Sequence, residues 1–477
     1  MTAAARRPVL LAWLLLTALV HVPYARAILA PPAERVFAGF LLFVDDQYNY
    51  LSFTRQAEDG AFLFRNKLVL APHRGVLVNL EWWLMGRITA LVGHHPAVAY
   101  RLFGAAAAAL LVAALDRWLR GAGLPAAHRL PALLLVLLGG GLGGVARWTG
   151  ALGGPRGVDL WTGAFPFMGL LANAHFTIGT ALLLLTLGAL IEGRRGRAIA
   201  LGSALGLVRP YDLVLAVGVH AAVQATSGPL RDWPRRVLPL LGFAPVAAYN
   251  YWLFYRSPAF ASYAASRYPF PATLELAIGL LPACVAALPA AAGMRSSDPW
   301  RRHLLAWAAI VVAMLVLRPV PFALQFLVGL GVPLLALAAL ALARRPPVVT
   351  LAATAVFGLS SVALLTGPPG RRAFLPVVAR DALDDLAQRC RAGDLALLPA
   401  ESAVYAPGLT ACRAYSAHAF EPDHETRAAD VRWFYGTATA EERALFLDRH
   451  CVRFVVEPGR GTAEERPLAA ACVAWTE

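Results

Sequence analysis

The sequence predicts an all-α polytopic membrane bundle of about eleven transmembrane helices, followed by a small α/β domain. Three observations carry that prediction. Of the 477 residues, 58% are apolar and only 15% are charged, and the mean hydropathy is +0.57. Soluble domains run at about 45–50% apolar and about 25% charged. The apolar residues fall in separate runs, several of them about 20 residues long, enough to cross a hydrocarbon core of about 30 Å. Composition then shifts at Gly367-Pro368-Pro369-Gly370, beyond which charges become frequent and apolar runs shorten to strand length.

The same arithmetic excludes intrinsic disorder and a nucleic-acid partner. The formal net charge is +14, but 42 of the 43 basic residues are Arg, and Lys67 is the only lysine. They cluster between apolar runs, the distribution of topology signals and not of a polyanion-binding face.

The runs lie at 9–30, 97–115, 130–146, 167–191, 198–226, 237–255, 273–293, 303–317, 321–343 and 347–366. Within 198–226, Arg209-Pro210 breaks the pattern, because proline removes a backbone donor. That run is predicted to be two short helices forming a hairpin, which makes about eleven crossings. Six clusters (Arg6/Arg7, Arg117/Arg120/Arg129, Arg194/Arg195/Arg197, Arg231/Arg235/Arg236, Arg295/Arg301/Arg302 and Arg344/Arg345) hold 16 Arg against four acids. Loop 31–96 instead holds six basic and six acidic residues. The positive-inside rule therefore places the N-terminus in the cytoplasm, with loop 31–96 and the segment 367–477 outside. The expected location is the inner, cytoplasmic membrane, with 1–366 as the transmembrane module and 367–477 as an extracytoplasmic domain. Arg6/Arg7, the apolar core and Ala25-Arg26-Ala27 also resemble a signal peptide, and either reading leaves loop 31–96 outside.

In 367–477 the pattern predicts helices at 381–391, 425–435 and 439–450, and strands at 394–398, 452–456 and 470–475. Four of the five Cys (Cys390, Cys412, Cys451, Cys472) lie there, and Cys284 lies in an apolar run. They make either two disulfides, with three connectivities open, or small buried thiols.

Ionisable groups within or beside membrane spans are costly and are candidates for function. Asp45-Asp46 follow the apolar stretch Val36–Val44, where adjacent carboxylates can act as a general base or hold a divalent cation such as Mg or Mn. The competing reading is an ordinary acidic loop start. Arg209 at the hairpin, followed by Asp212, suits phosphate recognition by its two-pronged guanidinium, or else pairs with Asp212. His175 in Asn173-Ala174-His175 is a candidate catalyst or a helix-packing hydrogen bonder. The Gly-rich loop 147–166 carries Arg147, Trp148, Arg156, Asp159 and Trp161, residues that suit a ligand or an interface anchor. His418, Glu421, Asp423 and His424 have no standard zinc spacing. A Walker loop, a Gly-x-Ser-x-Gly elbow and a His-Glu-x-x-His pair are all missing from the sequence.

Asp46-Gln47-Tyr48-Asn49-Tyr50, followed by Arg55-Gln56 and Gly60, resembles the Asp-Glu-x-x-Tyr, Arg-Glu, Gly register in the first outer loop of GT-C glycosyltransferases. Those membrane enzymes include protein O-mannosyltransferases and lipid A aminoarabinose transferases. The likeness continues through Pro72-His73-Arg74-Gly75, Gly93 and Tyr100-Arg101-Leu102. Gly206-Leu207-Val208-Arg209-Pro210 is similar to the family's short hairpin, and Tyr415 to Asp423 to the outer domain of bacterial members. The resemblance implies a catalytic Asp46, with Asp45 as the alternative register, and Tyr50, Arg55, His73, Arg74, Asp159, His175 and Arg209 as substrate-binding candidates. The family's second acid falls on Gln47, which leaves the metal site without that ligand.

What the resemblance implies about function is transfer of a sugar from a polyprenyl-phosphate-linked donor to a lipid, glycan or protein acceptor at the outer face of the membrane. A transporter or flippase would use the same buried Arg and Asp as a path, but would not need loop 31–96 and an outer domain. Internal inverted repeats, common in carriers, are not visible. A non-catalytic assembly partner is the third reading.

Overall fold

The computed structural model describes residues 3–150, 157–265, 270–292, 298–318, 320, 322–468 and 472. The chain divides into two compact units. One comprises Met1–Pro23, Arg101–Asn250 and Arg267–Pro368; the other comprises Tyr24–Tyr100, Tyr251–Ser266 and Pro369–Glu477.

The architecture is mostly helical. Among the described residues, seven helices are long and apolar enough to cross a membrane: Arg6–Leu29, Pro96–Gly121, Ala174–Ile191, Leu230–Tyr255, Thr273–Ala291, Pro299–Leu317 and Ala323–Leu342. Counting each of two bent pairs as one span brings the number to nine. The sequence suggested about eleven crossings, and the difference has a local cause. The run 198–226 does split at Arg209, into helices Arg195–Val208 and Pro210–Ala225, but these have only 14 and 16 residues. Proline opens the second of them, the first-turn position where its missing N–H is harmless.

Two further runs are bent where the pattern predicted single helices. Arg129–Leu138 and Gly143–Thr149 meet at 55°, and Pro347–Phe357 and Leu359–Thr366 at 43°. At the first bend Gly141 packs against the backbone of Gly279, where a Cβ would sit 2.2 Å from the Gly279 carbonyl oxygen. Only glycine allows that approach. A buried carboxylate inside this unit, Asp116, is met by two arginines. Arg129 donates two hydrogen bonds of 2.8 Å to the buried Asp116 carboxylate, and Arg120 adds a third.

In the second unit, residues 35–37 and 374–376 form a two-stranded antiparallel ribbon, with Arg35 opposite Pro376 and Phe37 opposite Phe374. A four-stranded sheet follows, in the order Arg413–Ala414, Leu395–Leu397, Phe454–Val456, Ala463–Glu465. The first two pairings are parallel and the last is antiparallel. Helices His424–Gly436 and Ala440–Arg449 cover it, the latter opened by a capping box between Thr439 and Glu442. Its core joins Leu395, Leu397 and Val455 to Val431, Phe434 and Leu447. The short strands at 374–376, 413–414 and 463–465 escaped the sequence pattern, since two or three residues are too few to show a period of two. The strand predicted at 470–475 lies outside the described residues, except for Cys472. Disulfides join Cys390 to Cys412 and Cys451 to Cys472, while Cys284 is free.

Candidate active site

Asp45 and Asp46 lie in the first turn of the helix Val44–Glu58. Unpaired N–H groups and the helix dipole favour negative charge there. The chain enters from Phe43 in a left-handed conformation (φ 50°, ψ 40°), which sets both carboxylates at the start of the helix. Beyond its first turn the helix is packed away: Tyr48, Leu51 and Phe53 are buried. Phe53 and Tyr50 both stack on Trp82 of the neighbouring helix Leu80–Leu91. Gly408 lets the turn Ala406–Leu409 lie against the same helix, since a Cβ there would come 2.7 Å from the Tyr48 carbonyl oxygen.

The two acids have different partners. Asp45 is ion-paired with Arg372. Asp46 faces His418, with Nε2 3.1 Å from its Oδ1. The backbone N–H of Phe420 donates to His418 Nδ1 at 3.0 Å. Nδ1 is therefore the accepting nitrogen, and Nε2 carries the proton that is donated to Asp46. The imidazole is 6% exposed and the Asp46 carboxylate 28% exposed, so the pair is supported from behind and open in front.

The loop that supplies His418 is folded around another carboxylate. Glu421, fully buried as a side chain, accepts from Ser416 Oγ at 2.6 Å and from the Ala417 N–H at 2.9 Å, and it pairs with His424 at 3.0 Å. Phe420 then packs on Tyr263, whose hydroxyl accepts a hydrogen bond of 2.7 Å from Asn49. Burial raises the Tyr263 phenol well above its ordinary value, and Asp46 adds to the effect. Tyr405 is pushed up to about 12, first by burial and then by Asp45; it donates to the Arg372 carbonyl. These phenols stay protonated, and Asp46 faces a neutral imidazole where Asp45 is held by a guanidinium.

Of the other predicted residues, all but Arg74 have structural partners. Arg55 donates to the Leu409 carbonyl. His73 closes a loop, with Nε2 accepting from the Asn66 N–H at 3.0 Å and Nδ1 2.9 Å from the Ala71 carbonyl. Arg74 is exposed and lines a cleft. In the first unit, Arg209 is 1% exposed and donates to both oxygens of Asp212, at 2.9 and 3.3 Å, and to the Gln325 carbonyl. The geometry there is that of the pairing alternative. Asp159 Oδ2 accepts from the Gly141 and Gly143 N–H groups and from Ser360 Oγ, which ties it to the helix bend. The His175 N–H is bound by Asn173, the N-cap of helix Ala174–Ile191. Arg156 lies outside the described residues.

Among the described residues no cluster of three or more His, Cys, Asp or Glu is arranged to hold a metal. Gln47, where the family pattern has its second acid, is 1% exposed and faces the core. The residue that sequence reasoning did not connect to Asp46 is His418. Its only signal was its place in the tail motif.

No protein-family model matches the chain, and neither does any curated sequence. Solved structures do. The arabinofuranosyltransferase AftD from Mycobacteria matches with TM-score 0.54 and 17% identity, over 94% of this chain and 35% of its own. ArnT from Cupriavidus metallidurans bound to undecaprenyl phosphate matches with TM-score 0.53 and 14% identity, over 94% and 96%. The oligosaccharyltransferase AglB from Archaeoglobus fulgidus, in complex with an inhibitory peptide and a dolichol-phosphate, matches with TM-score 0.52 and 11% identity, over 94% and 69%. The chain thus spans about a third of AftD and nearly all of ArnT. The chain shares the fold of these three structures.

Proposed function

We propose that this protein is a membrane glycosyltransferase. It moves a sugar from a polyprenyl-phosphate-linked donor to an acceptor hydroxyl at the outer face of the cytoplasmic membrane, with Asp46 as the general base. The observation that carries the reading is the Asp46–His418 pair: a partly open carboxylate at a helix N-terminus, oriented by a histidine whose tautomer is fixed from behind. Two structural neighbours hold polyprenyl phosphates, which supports that donor class.

The chemistry follows from these groups. The acceptor oxygen attacks the anomeric carbon while the bond from that carbon to the phosphate oxygen breaks, with inversion. Asp46 takes the acceptor proton, and the lipid phosphate leaves with the bonding electrons. The base is needed because a neutral hydroxyl becomes strongly acidic only as the new bond forms. His418 holds Asp46 in place and is a positioning residue. Were a divalent cation bound, Asp45 or Asp46 would hold it together with donor phosphate and it would help to neutralise the leaving phosphate. The proton step does not depend on it.

The test is transfer of sugar from a polyprenyl-phosphate donor in membranes carrying the wild-type chain or Asp46→Asn. Loss of transfer by about 10²–10⁴, with the variant still inserted and folded, is expected for a missing general base. Unchanged turnover in Asp46→Asn defeats the assignment.

A further inference from the structure

The second unit contains a cleft of about 820 Å³ that the reaction above does not use. It is formed by the C-terminal end of the Val44–Glu58 helix, the loop 59–75, and residues at 392–393 and 411–413. Its charge is one-sided: Arg65, Lys67, Arg74 and Arg413 line it against a single carboxylate, Asp59. Lys67 is also the only lysine of the chain.

None of the four cations is in an ion pair among the described residues. Lys67 gives two of its three N–H groups to the Pro407 and Thr410 carbonyls, at 2.9 and 2.8 Å, which leaves one for a ligand. Arg413 is anchored by the Leu70 and Gly393 carbonyls, and its Nε is buried with no hydrogen-bond partner. Arg65 and Arg74 stand exposed at the rim with no hydrogen-bond partner for either guanidinium. Unpaired cations at a concave, half-buried surface repel one another and lose hydration, so the arrangement is unfavourable until an anion enters. Guanidinium forks and an ammonium are the donors that suit phosphate and carboxylate oxygens.

We propose that this cleft is an oxyanion subsite, which holds the phosphate or carboxylate group of an acidic acceptor. The word acceptor rests on the transferase reading; the anion site itself does not. Gln56, on the cleft wall, is ten residues beyond Asp46 on one helix, about 15 Å along its axis. An acceptor anchored in the cleft can therefore reach the catalytic carboxylate across a few sugar units. Lys67 adds a proton-linked element. Burial first, and Arg55 second, pull it down to about 7, while Asp59 opposes them. An incoming anion draws a proton onto the amine and gains a full charge there.

The experiment measures binding of inorganic pyrophosphate to the full-length chain in lipid nanodiscs. Wild type is expected to bind, and Arg65→Ala and Arg74→Ala are each expected to weaken binding about tenfold, the usual effect of removing one charge-assisted hydrogen bond. Both side chains are exposed, so the variants should keep the wild-type melting temperature. Asp46→Asn should bind pyrophosphate like wild type whether or not transfer occurs, which separates failure of this site from failure of the transferase reading. Adding undecaprenyl phosphate to the nanodiscs distinguishes the source of the anion. If the lipid leaves pyrophosphate binding intact, the cleft serves the acceptor side; if it displaces pyrophosphate, the cleft belongs to the lipid carrier and the proposal is overturned. Absence of binding, or affinity indifferent to both arginines, overturns the site altogether.

Discussion

His418 offers the sharpest handle on the proposed chemistry, because its two ring nitrogens do separable jobs. Nδ1 accepts from the Phe420 N–H and so holds its own loop, while Nε2 donates to Asp46. Asparagine in its place reaches the Phe420 N–H but not Asp46; glutamine reaches Asp46. A hydrogen bond to a charged group contributes about 1.5–3 kcal/mol net. The Asp46 carboxylate is 28% exposed, so water competes and the lower end applies, about 1.5 kcal/mol or roughly tenfold in rate. His418→Asn should therefore lower kcat about tenfold with little change in melting temperature, and His418→Gln should recover most of the loss. In a double-mutant cycle, His418→Asn added to Asp46→Asn should cost nothing further, since a positioning residue has nothing left to position. The assay is single-turnover sugar transfer from a polyprenyl-phosphate donor in nanodiscs. Independent, additive losses would refute the coupling, and so would full activity in His418→Asn.

Three other outcomes are expected. Arg209→Met should strand the Asp212 carboxylate, both side chains being 2% exposed, and should cost about 3–5 kcal/mol of stability; Arg209→Met with Asp212→Leu should recover most of it and keep donor binding. Loss of donor binding in the stable double variant would instead give Arg209 a phosphate to hold. Asp159→Ala should orphan the two glycine N–H groups and the Ser360 hydroxyl, lowering stability by on the order of 3 kcal/mol in a detergent melting assay, whereas a wild-type melting temperature would remove its role at the bend. For topology, in a Cys284→Ser background, a cysteine at the exposed position Thr437 should be labelled from outside and one at Gly196 only after permeabilisation; the reverse pattern would invert the outer-face assignment.

The membrane architecture was readable because it is written in local signals. Twenty-residue apolar runs, arginine clusters and one proline at 210 need no partner elsewhere to be understood. The bend at Gly139–Gly141 was not readable, although its glycines were in view. Its cause is the backbone of Gly279 passing close by, together with the Asp159 carboxylate that gathers the freed N–H groups, and neither contact leaves a periodic trace.

The candidate site divides along the same line. Asp46 was singled out because a carboxylate beside an apolar stretch is locally conspicuous, but its place in a first helical turn was not predicted, since Phe43 opens that helix without a side-chain cap. What gives it a role is His418, 372 residues away, and no window of sequence spans that distance. The substitution of Gln47 for the family's second acid can be understood the same way. One residue along a helix turns the side chain by about 100°, from the open end where Asp46 stands into the core packed beneath it. A carboxylate at 47 would be buried at 1% exposure and would need its own counter-charge. This chain instead supplies a neutral amide at 47 and a histidine from a distant loop at 46. The charge balance then has one open carboxylate, Asp46, because its neighbour Asp45 is already ion-paired with Arg372. That asymmetry is a physical reason to expect a single proton acceptor here, and to expect Asp45→Asn to matter less than Asp46→Asn.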